Sequence, residues 1–210
     1  TYHTVALRNK AINPRCATLA ESLHAADYST RMSGKWHLAN IDDRDQWPCQ
    51  RGFEEFYGTI YGASSFFAPA SLKRNNTDAS KDFEKPGYYY TDAISDNAAA
   101  MIAKSPKDKP LFMYVAYTAP HWPLHALKED IAKYKGKYAK GWDALRKERY
   151  ARMLKLGIIS KDVPLSPRNP KVPAWPDAEA PTWQQHRMEV YAAQIDRMDQ
   201  GIGRIIGSLK

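Results

Sequence analysis

The segment Gly34-Lys35-Trp36-His37-Leu38 follows a short strand-like run at residues 30–33. A second segment, Thr118-Ala119-Pro120-His121-Trp122-Pro123, follows a continuous apolar run at residues 111–117. A continuous apolar run of this length is typical of a strand that is buried on both faces of a parallel sheet. Because open α/β sheets carry ligand-binding groups just past the carboxyl ends of their strands, we expect the two segments to meet at one sheet edge.

Helical patterns separate the predicted strands. A short helix is predicted over residues 16–27, and a second, capped by Thr91 or Asp92, over residues 92–104. Residues 40–87 carry turn residues without a helical or strand period, and we interpret them as irregular. The alternation of helix and strand predicts a layered α/β fold.

The C-terminal half contains two more predicted helices around a proline-rich stretch. One covers residues 142–156 and stops at Gly157, and the last begins at Thr182 and runs to the end of the chain. Between them, about residues 160–181, six prolines forbid a helix and favour an extended surface excursion: Pro164, Pro167, Pro170, Pro173, Pro176 and Pro181. This excursion is either a linker between domains or a long insertion inside one.

Composition and charge exclude several classes of function. The net charge of +8 over 210 residues invites a nucleic-acid interpretation. However, the basic residues of 128–161 alternate with acidic ones along helical segments, which is typical of a solvated helix face, so no nucleic-acid partner is expected. No apolar run reaches about 18 residues, so no membrane span is predicted. Cys16 and Cys49 could pair or stay free.

Lys35, His37 and His121 are the candidate site residues. In an extended chain, residues i and i+2 project to the same side, so the Lys35 ammonium and the His37 imidazole can converge on one ligand. His121 follows the second strand, where open α/β sheets place ligand-binding groups. A cation and two imidazoles at strand ends suit a doubly charged oxyanion. Taken alone, Lys-x-His is typical of a surface pair, and a lone histidine is typical of a structural residue.

Other stretches connect these segments to a known family. They are Thr18-Leu19-Ala20-Glu21, Arg51-Gly52-Phe53, Tyr89-Tyr90-Thr91-Asp92-Ala93 and Gly203-Arg204-Ile205-Ile206. With the two site segments, they resemble the type I sulfatases of the alkaline phosphatase superfamily, in family order. The resemblance implies a layered alkaline-phosphatase-like α/β fold with a central, mostly parallel sheet flanked by helices. It also makes residues 1–210 an internal part of one catalytic domain, incomplete at both ends, with the proline-rich excursion as an insertion.

The resemblance also implies a chemistry. The parent protein would cleave sulfate monoesters through a formylglycine nucleophile and a calcium ion. Lys35 would contact a sulfate oxygen, His37 would hydrogen-bond the formylglycine hydrate, and His121 would contact a sulfate oxygen near the leaving group. The family's Cys/Ser-x-Pro-x-Arg motif is not found around Cys16 or Cys49, and no metal ligand is recognised. We therefore expect the segment alone to be inactive and to bind neither cofactor.

Two alternative functions remain open from the sequence. One is a phosphate or phosphonate ester hydrolase of the same superfamily, and the other is a non-catalytic sulfate- or glycan-binding module. The expected partner is a sulfated small molecule or carbohydrate, and the family favours a periplasmic or secreted location. Six aromatic residues near the motifs could stack on a sugar or aryl group, although more of them are expected to be core: Trp36, Tyr57, Tyr61, Phe66, Phe67 and Trp122.

Overall fold

The computed structural model describes residues 7, 8 and 11–210. The elements follow one another as β1 (Leu7–Arg8), β2 (Ala11–Ile12), α1 (Leu19–Ala25), β3 (Ser29–Gly34), β4 (Glu55–Thr59), β5 (Leu72–Arg74), β6 (Thr77–Asp78), α2 (Tyr90–Ala103), β7 (Leu111–Ala116), α3 (Lys128–Ala132), α4 (Gly141–Lys155) and α5 (Pro181–Gly207). They fall into two compact units. The first comprises residues Thr1–His125 and Gln194–Lys210, and the second comprises residues Ala126–Ala193.

A five-stranded sheet in the order β6-β5-β4-β3-β7 organises the first unit. β3 pairs in parallel with both β4 and β7, and Gly34 lies opposite Ala116. The predicted strands at 30–33 and 111–117 are therefore confirmed as strands of one sheet, in which they are parallel neighbours. The sheet is mixed, because β5 and β6 join β4 as an antiparallel hairpin. β1 and β2 form a separate antiparallel pair.

The strand β4 lies inside residues 40–87, where the interpretation of an irregular segment is wrong. Phe56 and Tyr57 point to opposite faces of the sheet, and each is buried in a different hydrophobic cluster. A strand buried on both faces loses the alternation of apolar and polar residues that marks a half-buried strand. At five residues, with Gly58 inside it, β4 gives too short a pattern to be recognised.

Each face of the sheet carries one hydrophobic cluster. The first contains Met32, Phe56 and Ala20 of α1, and the second contains Ile94 and Met101 of α2. Helices thus flank the sheet as predicted. Each large apolar side chain that is buried in these clusters contributes about 1.5–3 kcal/mol to folding relative to exposure.

The burial predicted for the strand at 111–117 is only partly correct. β7 is an edge strand of the sheet in the described part of the chain, and its side chains are half-buried rather than buried. Tyr114, at its centre, is 47% exposed. The apolar composition of β7 therefore exceeds what its burial in the described residues requires.

The start of α2 differs from the prediction of a Thr91 or Asp92 cap. The N-cap residue is Tyr89, and it provides no side-chain cap. Thr91 is buried, and the Asp92 carboxylate accepts hydrogen bonds from Arg197 Nε at 2.8 Å and from Arg197 Nη2 at 2.7 Å. Asp92 therefore joins α2 to the C-terminal part of α5 instead of capping its own helix.

The beginning of α5 also differs from the prediction. The helix starts at Pro181, so Thr182 lies in its first turn and is not its cap. Proline is favoured at the first helical position, because its missing N–H would have no partner there. No helix in the described part of the chain is long and apolar enough to cross a bilayer.

In the second unit, α4 agrees with the predicted helix at 142–156 and is followed by Gly157 at a φ of +68°. The proline-rich stretch is held against α4 by side-chain hydrogen bonds. Tyr150 Oη donates to the Val163 carbonyl oxygen at 2.6 Å, and Arg146 Nη2 donates to the Ser166 carbonyl oxygen at 2.6 Å. These contacts give an otherwise aperiodic segment a fixed course along α4.

The N-terminus of α1 is stabilised by a capping box and a buried arginine. Thr18 Oγ1 accepts from the Glu21 N–H at 3.0 Å, and a Glu21 carboxylate oxygen accepts from the Thr18 N–H at 2.6 Å. Arg51, which is only 4% exposed, donates from Nε to Glu21 Oε1 at 2.7 Å. The same guanidinium donates to the Cys16 carbonyl oxygen at 2.7 Å, so one arginine links three segments.

We predict an acid-dependent loss of stability at Glu21. The hydrogen bond from Arg51 lowers the pKa of Glu21. A carboxylate whose folded pKa is depressed stabilises the fold above its unfolded pKa of about 4.3, and this contribution is lost as pH falls through the folded pKa. In urea unfolding of the whole protein, Glu21→Gln should lower the free energy of unfolding at pH 7, and the deficit should shrink below about pH 4. The exposed Glu84→Gln is the charge-matched control, and a deficit at Glu21 that does not vary with pH would contradict the assignment.

Candidate anion site at the carboxyl edge of the sheet

The segment with Lys35 and His37 lies between the ends of two other strands. The Lys35 N–H donates to the Ala116 carbonyl oxygen at 2.8 Å, and the His37 N–H donates to the Ile60 carbonyl oxygen at 2.9 Å. The Trp36 N–H donates to the Thr59 carbonyl oxygen at 2.9 Å. Lys35 thus bonds the end of β7, and the next two residues bond the end of β4 and the residue after it, which fixes the course of this segment.

His37 has a left-handed backbone, with φ at +57°. The segment is therefore not regularly extended, and the prediction that Lys35 and His37 project to one side of an extended chain is wrong at this position. A non-glycine residue in this conformation is uncommon, and such residues cluster at functional sites. The His37 ring lies against Gly62, where an added Cβ would be 2.5–2.7 Å from the ring atoms. Only glycine fits at position 62 without displacing the imidazole.

His121 is held in the loop that follows β7. Its N–H donates to the Thr118 carbonyl oxygen at 2.9 Å, and its Nδ1 lies 2.7 Å from the Trp122 carbonyl oxygen. Because a carbonyl oxygen only accepts, Nδ1 carries the proton in this hydrogen bond. Nε2 then donates to an anion only when the ring is an imidazolium.

The structure brings the three predicted residues to one edge of the sheet. Lys35 and His37 follow the carboxyl end of β3, and His121 follows the carboxyl end of its parallel neighbour β7. The predicted shared edge is thus confirmed. Lys35 is half-buried, whereas His37 and His121 are exposed. The roles of these side chains toward a ligand stay a prediction.

Tyr90 is a residue of this region for which no role is predicted from the sequence. Its buried hydroxyl accepts from the Thr59 N–H at 2.9 Å and lies 3.3 Å from Thr59 Oγ1. Burial raises the pKa of the Tyr90 phenol, so it stays neutral. Since the Thr59 carbonyl oxygen holds the Trp36 N–H, Tyr90 supports the backbone between Lys35 and His37. The only sequence signal was its place in the Tyr-Tyr-Thr-Asp stretch.

The described residues do not fit the implied cofactors. Within residues 7–8 and 11–210, no three His, Cys, Asp or Glu side chains come together as a metal-binding group. Calcium prefers six to eight oxygen ligands, whereas Lys35, His37 and His121 offer nitrogen. Cys16 and Cys49 are free thiols, and burial raises the pKa of Cys49 to about 11, which disfavours a nucleophilic thiolate.

Comparison with known proteins identifies the family. The family model described as Sulfatase matches residues 2–210. The chain belongs to the sulfatase family. It is 35% identical over 215 residues to an uncharacterized sulfatase of Schizosaccharomyces pombe, covering 95% of this chain and 38% of that protein. It is 34% identical over 212 residues to an arylsulfatase of Klebsiella aerogenes, covering 95% of this chain and 44% of that protein.

Solved structures show the same fold. Ps i-CgsB, solved in complex with k-i-k-neocarrahexaose, matches with a TM-score of 0.64 at 22% identity, over 97% of this sulfatase chain and 38% of its own. BT4656, solved with its substrate D-glucosamine-2-N,6-O-disulfate, matches with a TM-score of 0.60 at 19% identity, over 95% of this chain and 47% of its own. The layered, alkaline-phosphatase-like α/β fold is thus confirmed. The chain spans less than half the length of each of these relatives and structures.

Proposed function

We propose that the whole protein containing this chain hydrolyses sulfate monoesters, and that Lys35, His37 and His121 line its sulfate pocket. The observation that carries the proposal is the parallel pairing of β3 and β7, in which Gly34 lies opposite Ala116. This register brings a lysine segment and a histidine loop to the same edge. Membership of the sulfatase family supports the choice of sulfate as the anion.

The three side chains have separate tasks in this proposal. The Lys35 ammonium neutralises negative charge on the sulfate oxygens. The His121 imidazolium, with Nδ1 held by the Trp122 carbonyl oxygen, donates from Nε2 to the ester oxygen as it leaves. Donors that are fixed before the reaction stabilise developing charge without reorganising, and removing one typically costs about a hundredfold to a thousandfold in kcat. His37 provides a second imidazole beside the sulfur.

Calcium and formylglycine are proposed for the whole protein on family grounds alone. No step through either group is assigned to a residue of this chain, because its site nitrogens do not suit calcium and its two thiols lack the family motif. The substrate is proposed to be a sulfated small molecule or carbohydrate, and the location to be periplasmic or secreted. The described chain contributes the cationic side of the site.

The proposal is tested with the purified whole protein and two matched esters, 4-nitrophenyl sulfate and 4-nitrophenyl phosphate. We expect release of inorganic sulfate with a kcat/KM above that for the phosphate ester. A preference for the phosphate ester would support the phosphatase alternative and overturn the proposal. Binding of the sulfate ester without turnover would support a binding module and would overturn it equally.

A further inference from the structure

The six aromatic side chains near the site separate into two groups in the structure. Trp36, Tyr57 and Phe66 are buried and belong to the core, whereas Tyr61, Phe67 and Trp122 are exposed. Trp122 is 67% exposed, and it directly follows the candidate site residue His121. An indole is costly to leave in water, because it presents one of the largest apolar surfaces of any side chain.

The Trp122 side chain is exposed, but its backbone is held in place. The Trp122 carbonyl oxygen accepts a hydrogen bond from His121 Nδ1 at 2.7 Å. Pro120 and Pro123 restrict the backbone on either side. The His121 and Trp122 rings are 5.4 Å apart between centroids and tilted by 37°, which is the spacing of rings in contact. The indole therefore lies beside the imidazole.

A ring-shaped leaving group fits this arrangement. The sulfur and the first carbon of a sulfate ester are joined by one oxygen, so a ring whose sulfate is bound at His121 comes close to the neighbouring indole. An aryl ring and the C–H face of a pyranose both offer a flat apolar surface to stack on tryptophan. An open-chain alkyl sulfate offers no such face.

We infer that Trp122 is a specificity-determining residue, which stacks on the ring of the sulfate ester and selects cyclic sulfates over open-chain ones. This inference rests on the proposed function and narrows its substrate class. Loss of the stacked ring face lowers kcat/KM for cyclic esters about tenfold, which corresponds to about 1.4 kcal/mol. The affinity for inorganic sulfate, which has no ring, stays the same.

The test measures kcat/KM for 4-nitrophenyl sulfate, a pyranose 6-sulfate and propyl sulfate in the whole protein and in Trp122→Ala. Inhibition by inorganic sulfate is measured in parallel. We expect about a tenfold loss for the two cyclic esters, little change for propyl sulfate and an unchanged inhibition constant for sulfate. A loss for only one of the cyclic esters supports stacking and identifies which ring the site accepts.

Two variants separate stacking from a structural role. Trp122→Phe keeps a ring face and should retain most of the activity on cyclic esters. Trp183→Ala removes another exposed tryptophan, which contacts His186, and should leave the ratio of kcat/KM for cyclic esters to kcat/KM for propyl sulfate unchanged. Equal losses for cyclic esters, propyl sulfate and inorganic sulfate would overturn the inference while leaving the proposed function standing. If the wild type shows no turnover, calorimetric titration with phenyl sulfate and inorganic sulfate replaces kinetics. Equal affinity changes for both ligands in Trp122→Ala would then overturn it.

Discussion

Lys35→Ala in the whole protein should lower kcat/KM for an aryl sulfate by about a hundredfold or more, which corresponds to about 2.7 kcal/mol of transition-state stabilisation. The reason is the position of Lys35. Its N–H is bound to the Ala116 carbonyl oxygen at 2.8 Å, so the residue is held where β3 and β7 end together. The variant removes a cation from an anionic reaction at this edge of the sheet, and steady-state kinetics measures the loss.

Two further variants show whether the lost charge of residue 35 causes the fall in kcat/KM. Lys35→Arg keeps the charge but replaces a compact ammonium by a planar guanidinium, so it should recover part of the lost rate. Lys107→Ala removes a lysine from an exposed position outside the site and should leave kcat/KM unchanged. Turnover by Lys35→Ala within a few-fold of wild type would remove Lys35 from the pocket.

Gly34→Ala should destabilise the fold by about 2–6 kcal/mol. Gly34 has φ at +124°, a conformation that costs about 1–3 kcal/mol for other residues. An added Cβ would also overlap the Ala116 carbonyl oxygen, and overpacking against a backbone typically costs another 1–3 kcal/mol. That oxygen accepts the Lys35 N–H, so the change should also displace the site. Urea unfolding of the whole protein measures the stability loss.

Gly87→Ala is the matched control for Gly34→Ala. Gly87 also has a positive φ, at +77°, but no atom lies within 4 Å of an added Cβ. Gly87→Ala should lower the free energy of unfolding only by the cost of the backbone conformation, about 1 kcal/mol. If the two variants lose the same free energy of unfolding, the close approach of β3 to β7 is not what requires glycine at position 34.

The sequence predicted the parts of the fold that leave a local signal. β7 is a continuous apolar run, and α4 ends before Gly157 at a positive φ, so both were found. β4 was missed because its two faces enter different clusters and its five residues give no usable period. The predicted caps of α2 and α5 are wrong for other reasons. Asp92 binds Arg197, which is distant in sequence, and α5 begins at Pro181, one residue before Thr182.

The residues of the candidate site likewise divide into those with a local sequence signal and those recognised only through distant contacts. Lys35, His37 and His121 were predicted because each follows a strand in a recognisable segment. Gly62 was not, since its need to be glycine comes from the ring of His37, which is distant in sequence. Tyr90 was likewise missed as a support, because its hydroxyl bonds Thr59 across the fold. Contacts of this kind have no signature in one sequence.

We propose that Lys35 and His121 together hold one tetrahedral anion at the carboxyl edge of β3 and β7. A crystal of the whole protein soaked in selenate, a heavier analogue of sulfate, tests it by anomalous diffraction. We expect selenate oxygens within about 3 Å of both Lys35 Nζ and His121 Nε2. Selenate bound away from these two atoms, or His37 and His121 found at opposite edges of the sheet, would contradict it.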